Sequence, residues 1–185
     1  MNHPVRAHPI VTGPITGGSK GWPFAASTLD VAAYGYTEAE YFLEGTATRY
    51  RLVAGTQLTR DGHWAVEPGD AAPFRTRMLG YRPNDGARFN GTVVVTWNNV
   101  TAGHDLFGAE SLGLFERGYA LVCLTAQEVG IEGLPGVPLG LAVWDPQRYA
   151  TLSIPSDDYS YDIFTQCSAA IGKHRMPQSV DPMGG

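Results

Sequence analysis

The sequence has little of what several classes of protein require. Only two of its 185 residues are cysteine, Cys123 and Cys167, and their spacing forms neither a zinc site nor a CxxC redox pair. No apolar run is long enough for a membrane span or for the core of a secretory signal. The net charge is −5, and the 13 Lys and Arg residues are scattered. Nucleic acid and membranes are therefore excluded as partners, and we expect a soluble, cytoplasmic protein with two buried thiols.

The composition supports a folded domain, because 43% of the residues are hydrophobic and 11% are aromatic. Residues 1–40 are rich in Gly and Pro and predict a lead-in that wraps a domain spanning residues 41–185. Within that domain, residues 41–52 and 74–81 show the rough alternation typical of strands with one solvated face. Asp61-Gly62 predicts a turn between them, and residues 64–66 suit a further short strand.

The middle of the chain predicts a βαβ unit. Residues 92–97 and 119–124 are nearly unbroken apolar runs, typical of strands buried on both faces. Residues 107–117 between them have apolar side chains at helical spacing, and Gly118 follows where a helix C-cap is expected. This order implies two parallel strands joined by a right-handed crossover. The predicted fold class is therefore α/β, with antiparallel or mixed N-terminal strands followed by a parallel βαβ unit and flanking helices.

The last third of the chain predicts a loop and then a helix. Residues 130–150 are read as a long Gly- and Pro-rich loop, and it stays open whether this loop is a lid. The helix follows Pro155 and is capped by Ser156 or Asp157. Its apolar stripe consists of Tyr159, Ile163, Cys167, Ala170 and Ile171. Lys173 and Arg175 are the basic residues at its C-terminal end. A doubly wound sheet should continue with another buried strand, which residues 176–185 do not predict, so we expect an incomplete sheet.

Two serines stand in sequences that look like a G-x-S-x-G nucleophile elbow. Ser19 lacks the preceding strand and the following helix that an elbow requires, so we interpret it as part of a flexible turn. The same stretch is a near miss for a phosphate loop, because Ser19-Lys20 reverses the required order. Ser111, in a looser variant of the elbow, is assigned to the inward stripe of a helix.

The remaining polar candidates are interpreted structurally. His104, next to Asp105, is the histidine to watch, although a role on a loop surface or in a helix cap is favoured over chemistry. Asp157 and Asp158 are expected to satisfy free N–H groups at a helix start. The other histidines, which are His3, His8, His63 and His174, lack the spacing of metal ligands. No motif indicates a cofactor or a metal.

Six segments resemble a bacterial family of largely uncharacterised proteins, the α/β-hydrolase domain family. They are GPITGGSKGWPF (13–24), FLEGTA (42–47), RFNGTVVV (88–95), WDPQRY (144–149), YSYDIF (159–164) and DPMGG (181–185). The similarity runs over nearly the whole chain. It implies that the chain is the N-terminal part of a considerably longer protein.

The resemblance also implies an activity and a partial site. Family members would supply Ser, acid and His in that order, and no position of this chain carries any of the three. Half of the oxyanion hole would lie on the loop after the third strand, with the backbone N–H groups of Asn98, Asn99 and Val100 as candidates. A role of the two Asn residues as turn formers stays open as the alternative.

The function expected from these features is that of the first segment of a serine hydrolase. It would act on a small-molecule ester or a related acyl substrate, and the segment would be inactive alone. The alternative is a structural or binding module that pairs with a separately encoded second half. Because half a sheet leaves an edge exposed, self-association through that edge is also expected.

Overall fold

The computed structural model describes residues 8–106, 110–172 and 175–184. The strands of the described part are β1 (Ile10–Thr12), β2 (Tyr36–Leu52), β3 (Val66–Pro83), β4 (Val93–Trp97) and β5 (Ala120–Leu124). Its α-helices are α1 (Leu112–Glu116), α2 (Glu128–Glu132), α3 (Leu141–Trp144), α4 (Pro146–Tyr149) and α5 (Ser160–Ala170). Short 3-10 turns occupy Val31–Tyr34, Gly86–Arg88 and Asp157–Tyr159. None of these helices is both long and apolar enough to cross a membrane.

The strands form one mixed sheet in the order β1-β2-β3-β5-β4. The first three neighbouring pairs are antiparallel, whereas β4 and β5 are parallel, with Val94 opposite Leu121. The predicted α/β class is confirmed, as is the parallel pairing of the two apolar runs. Helix α1 lies between these strands in the chain and makes the crossover.

Strands β2 and β3 form a long hairpin that extends past its neighbours. Their pairing runs from Tyr36 opposite Pro83 to Leu52 opposite Val66, with a bulge near Thr48. Both strands are therefore longer than predicted. Pro68 and Pro73 make the start of β3 look like a loop in the sequence. Proline has no N–H to donate, but it is tolerated in a strand where its N–H would point to an unpaired edge. Strand β2 also begins at Tyr36, so the sheet reaches into the region read as a lead-in, to which β1 belongs as well.

The region predicted as a loop, residues 130–150, is instead about half helical. It contains most of α2 together with α3 and α4. Gly140 and Asp145 occupy the N-cap positions of α3 and α4, and Pro146 stands at the first position of α4. The prediction was wrong because helices of four or five residues are too short to produce a helical periodicity.

Helix α1 covers only part of the predicted helix at residues 107–117, of which 107–109 lie outside the described residues. Ser111 is exposed and caps α1, because its side chain accepts a hydrogen bond from the Leu114 N–H at 3.4 Å. Its assignment to the inward stripe of a helix was therefore wrong. Gly118 has φ +74° directly after the helix, as its predicted capping role requires.

The helix predicted after Pro155 begins as a 3-10 turn capped by Ser156 and continues as α5. The predicted stripe is confirmed for Tyr159, Ile163, Cys167 and Ala170, which are buried, while Ile171 is half-buried. Asp157 caps a different helix from the expected one, since its carboxylate accepts the N–H of Glu128 at the start of α2.

Apolar residues pack on both faces of the sheet. The larger cluster includes Val122, Leu124 and the buried stripe of α5, and the smaller one joins Tyr36, Leu79 and Phe115. Cys123 and Cys167 are buried free thiols, as predicted. Strand β5 is fully buried, but β4 is only half-buried along its whole length. The prediction of full burial was wrong for β4 because β5 covers only one of its edges.

The close approach of Gly118 to the backbone of Arg88 predicts the effect of a substitution on stability. A Cβ at this position would lie 1.9 Å from the carbonyl oxygen of Arg88 and would also occupy the left-handed region. We expect Gly118→Ala to lower the free energy of unfolding by about 3 kcal/mol, measured by urea denaturation. Gly91→Ala is the control, because Gly91 also has positive φ but meets no atom within 4 Å, so only about 1 kcal/mol is expected. Equal losses would contradict the steric explanation.

Candidate functional site

The loop after β4 lies where the two parallel strands end. Strands β4 and β5 point the same way, so their carboxyl ends, Trp97 and Leu124, meet at one edge of the sheet. The segment from Asn98 to Leu106 starts there and folds back on itself through a bridge between Asn99 and Leu106. In open sheets of this class, ligands bind at the carboxyl ends of parallel strands. This loop is therefore the candidate functional site of the described chain.

The three candidate amides of this loop differ in their availability. The N–H of Asn98 donates to the carbonyl of Leu124 at 3.1 Å and so continues the sheet. The carbonyl of Asn99 accepts the N–H of Leu106 at 2.7 Å in the bridge between them, but the N–H of Asn99 itself makes no hydrogen bond to any described residue. The N–H of Val100 makes no hydrogen bond to any described residue. The hydrogen bonds thus exclude Asn98, and Asn99 and Val100 are the candidate amides without an acceptor among the described residues.

Asn99 also acts as a turn former, which is the structural alternative that the sequence left open. The side-chain oxygen of Asn99 accepts the N–H of Thr101 at 2.7 Å, and the N–H of Gly103 donates to the Val100 carbonyl. This Asx turn holds the peptide that contains the Val100 amide. The turn-forming and site-forming roles are therefore compatible at Asn99.

A buried carboxylate anchors the far end of the loop. Asp105 is fully buried and lies 3.2 Å from the guanidinium of Arg77, and it also accepts a hydrogen bond from the Thr125 hydroxyl. Burial raises the pKa of Asp105, and Arg77 opposes that shift. The Asn98 side chain, itself buried, adds a smaller interaction that favours the ionised form. The loop is thus fixed to β3 and β5 through one charged residue.

Arg77 belongs to a larger buried network centred on Glu40. One carboxylate oxygen of Glu40 accepts from Arg77 at 2.7 Å and from the Tyr149 hydroxyl at 2.8 Å, and the other accepts from Arg148 at 2.5 Å. Burial raises the pKa of Tyr149, so its hydroxyl stays protonated and donates. Burial alone would lower the pKa of Arg77, but Glu40, Tyr149 and Asp105 together outweigh this effect and the pKa is raised. The network connects β2, β3 and α4.

The same network holds the N-terminal segment against the sheet. Arg148 donates to the carbonyls of Gly17 and Ile15, and Asp145 accepts the N–H groups of Ser19 and Lys20, both at 3.0 Å. Burial would raise the pKa of Asp145, but these backbone hydrogen bonds lower it to about 2. The Asp145 carboxylate is therefore ionised at neutral pH.

The surroundings of Ser19 and His104 differ from those of catalytic residues. Ser19 lies in an exposed bend, with no strand directly before it and no helix directly after it. His104 is half-buried, its Nδ1 lies 2.9 Å from the Asp105 carbonyl, and its ring packs edge-on against Phe24 at 5.6 Å. Phe24 in turn packs against Trp144. His104 thus joins the loop to the N-terminal segment.

Sequence reasoning missed the buried charges Glu40, Arg77, Asp145 and Arg148. Arg77 stands in a predicted strand that reads as half solvated, where a charge looks exposed, and Glu40 is the last residue of the segment that was read as a lead-in. Asp145 and Arg148 lie in the WDPQRY segment, whose similarity to other proteins was the available signal. Within residues 8–106, 110–172 and 175–184, no group of three or more His, Cys, Asp or Glu side chains is arranged to hold a metal ion.

The mixed sheet with its parallel pair and its helices defines an α/β protein. The family model described as Alpha/beta hydrolase domain matches residues 11–185. The chain therefore belongs to the α/β hydrolase domain family, and the resemblance noted in the sequence is confirmed. No curated protein and no solved structure gives a significant match to the chain.

The Glu40 network predicts a large effect of a small substitution. Glu40→Gln keeps the shape of the side chain but leaves two buried guanidinium groups without their shared counter-charge. We expect a loss of about 3–5 kcal/mol in the free energy of unfolding, measured by urea denaturation. The control is Glu67→Gln, which removes an exposed pair with Arg51 and should cost less than about 1 kcal/mol. Similar losses for both variants would refute the central place of Glu40.

Proposed function

We propose that this chain supplies the first half of the sheet and part of the oxyanion hole of a serine hydrolase that acts on an ester or a related acyl substrate. The nucleophilic serine then lies outside the described residues, on a strand that adds to β4. The observation that carries this proposal is the open parallel edge of β4 beside the free N–H of Val100. Membership of the family supports a hydrolase-type fold.

The hydrogen-bond pattern identifies which groups of β4 are available. Asn98 donates to Leu124, and Ala120 donates to Thr92, so the even-numbered residues of β4 face β5. Because successive residues of a strand face opposite edges, the N–H and C=O groups of Val93, Val95 and Trp97 point outward. They have no backbone partner among the described residues. A strand that paired here in parallel would end beside Asn98 and Val100.

A strand that ends beside Asn98 and Val100 would place a following nucleophile where acyl transfer requires it. In this fold the nucleophile follows its strand on a tight turn. The oxyanion hole combines the N–H of the residue after the nucleophile with an N–H from the loop after the fold's third strand, which we equate with the loop after β4. Val100 would supply the second of these donors. The described chain provides the sheet and this donor, so by itself it should not turn over an ester.

The activity experiment compares the chain with a longer protein. Reading the DNA past codon 185 should reveal a strand followed by a Gly-x-Ser sequence, and the protein extended to include it should hydrolyse p-nitrophenyl esters. The 185-residue chain should not. Enzymatic hydrolysis by the 185-residue chain that Ser19→Ala abolishes would overturn the proposal.

The role of the Val100 amide predicts the effect of its removal. Val100→Pro deletes the N–H, so we expect kcat of the extended hydrolase to fall about 100-fold with p-nitrophenyl acetate. Val100→Ala keeps the amide and serves as the control, with kcat close to that of the parent. Circular dichroism of both variants establishes that they fold. A folded Val100→Pro variant with unchanged kcat would exclude this amide as a donor.

The open edge of β4 also supports a second candidate function, a module that pairs with a separate chain or with itself. Five half-buried residues line this edge strand, and an unpaired edge is a template for another strand. In this candidate the partner segment comes from a separately encoded second half. In its absence, two copies of the 185-residue chain would pair through β4.

If the chain associates with itself through β4, a single substitution on the outer edge of β4 should prevent the association. Val95→Pro removes an outward N–H and leaves the hydrogen bonds to β5 in place, so the variant should sediment as a monomer. Val95→Thr keeps the amide and should associate like the unmodified chain. Sedimentation velocity measures the association. A monodisperse monomer for the unmodified chain would contradict the prediction.

A further inference from the structure

A groove lies away from the candidate site, between the free end of the β2–β3 hairpin and the start of α5. Its volume is about 700 Å³, which falls in the range of small-molecule sites. Leu58, Trp64 and Val66 form one wall, and Tyr161, Asp157 and Asp158 form the other. This set of six residues is called the ribbon groove below.

The ribbon groove concentrates apolar surface that is open to solvent. Leu58 is 65% exposed, Tyr161 58%, Val66 47% and Trp64 39%. Apolar side chains that are exposed singly are ordinary, but several that converge on one concavity mark a binding surface. The ring of Trp64 is held in place because its indole N–H donates to the Thr59 carbonyl at 2.8 Å. The Tyr161 ring packs edge-on against Trp97 at 5.4 Å. Two aromatic walls are thus presented in fixed positions.

The charges around the ribbon groove determine the type of ligand. Asp158 is exposed and forms no ion pair with any described residue. Asp157 is likewise exposed, and its carboxylate is held by Gln127 and by the N–H of Glu128. The guanidinium of Arg51, which also lines the groove, is already neutralised by Glu67 at 3.0 Å. The rim is therefore negative and repels anions.

We infer that the ribbon groove binds a small molecule that joins a flat apolar group to an ammonium or guanidinium group. The apolar part would lie against Trp64 and Tyr161, whose ring faces attract a nearby cation. The cationic end would lie beside Asp158. This binding function is separate from ester hydrolysis and requires no group outside the described chain.

The test uses 2-phenylethylammonium as the probe, with 2-phenylethanol and phenylacetate as neutral and anionic analogues of the same ring. The chain has four tryptophans, so the indole N–H resonances in ¹⁵N correlation spectra report binding, and loss of one resonance in Trp64→Phe assigns it. We expect a saturable shift of the Trp64 resonance with the ammonium probe. The ammonium should bind three- to fivefold more tightly than the alcohol, and phenylacetate should bind most weakly.

Matched variants separate the charge effect from a general change of surface charge. Asp158→Asn should reduce the affinity for the ammonium to that for the alcohol. Glu116→Gln, an exposed carboxylate on α1 that does not line the groove, should leave it unchanged. Tyr161→Ala should weaken all three ligands without unfolding the chain, because its ring is largely exposed. No saturable Trp64 shift, equal affinity for ammonium and alcohol, or equal effects of Asp158→Asn and Glu116→Gln would each overturn the proposal.

Discussion

The buried carboxylate of Glu40 is the interaction on which the arrangement of this chain depends. Two arginines and a tyrosine converge on its two oxygens, and they come from two distant parts of the sequence, β3 and α4. A buried charge is stable only when its partners are all in place. Glu40 therefore requires that β3 lie in register beside β2, that α4 pack on the sheet and that the N-terminal segment cover Arg148. Through Arg77 the same network reaches Asp105 and so fixes the loop after β4.

The position of the candidate site follows from that framework. Arg77 and Thr125 hold Asp105, and the bridge between Asn99 and Leu106 closes the loop above the ends of the parallel strands. With the loop attached at both ends, the N–H groups of Asn99 and Val100 have no acceptor in the part of the chain that the structure describes. Such preorganised donors are what an oxyanion hole requires. The outer edge of β4 lies next to this loop, and under the proposed function the added strand and its nucleophile would be placed there.

The parts of the fold that were predictable from the sequence are those set by local patterns. The apolar runs that became β4 and β5, Gly118 after α1 and the stripe of α5 each depend on residues that are close together in the chain. The Glu40 network depends instead on partners 37 and 108 residues away, and a single sequence carries no pattern for such pairs. Helices α2 to α4 are too short for periodicity, and the prolines of β3 resemble loop residues. The amides of the candidate loop could be named, but only the hydrogen bonds distinguish Val100 from Asn98.

The central claim is that the reactive serine belongs to a strand added at β4 and not to this chain. Mass spectrometry of the adduct left by a fluorophosphonate on the protein extended past codon 185 tests it most directly. The predicted result is a single adduct, on a serine outside residues 1–185 that follows a strand in a Gly-x-Ser sequence. An adduct on Ser19, on Ser111 or on any other serine of the 185-residue chain would contradict the claim.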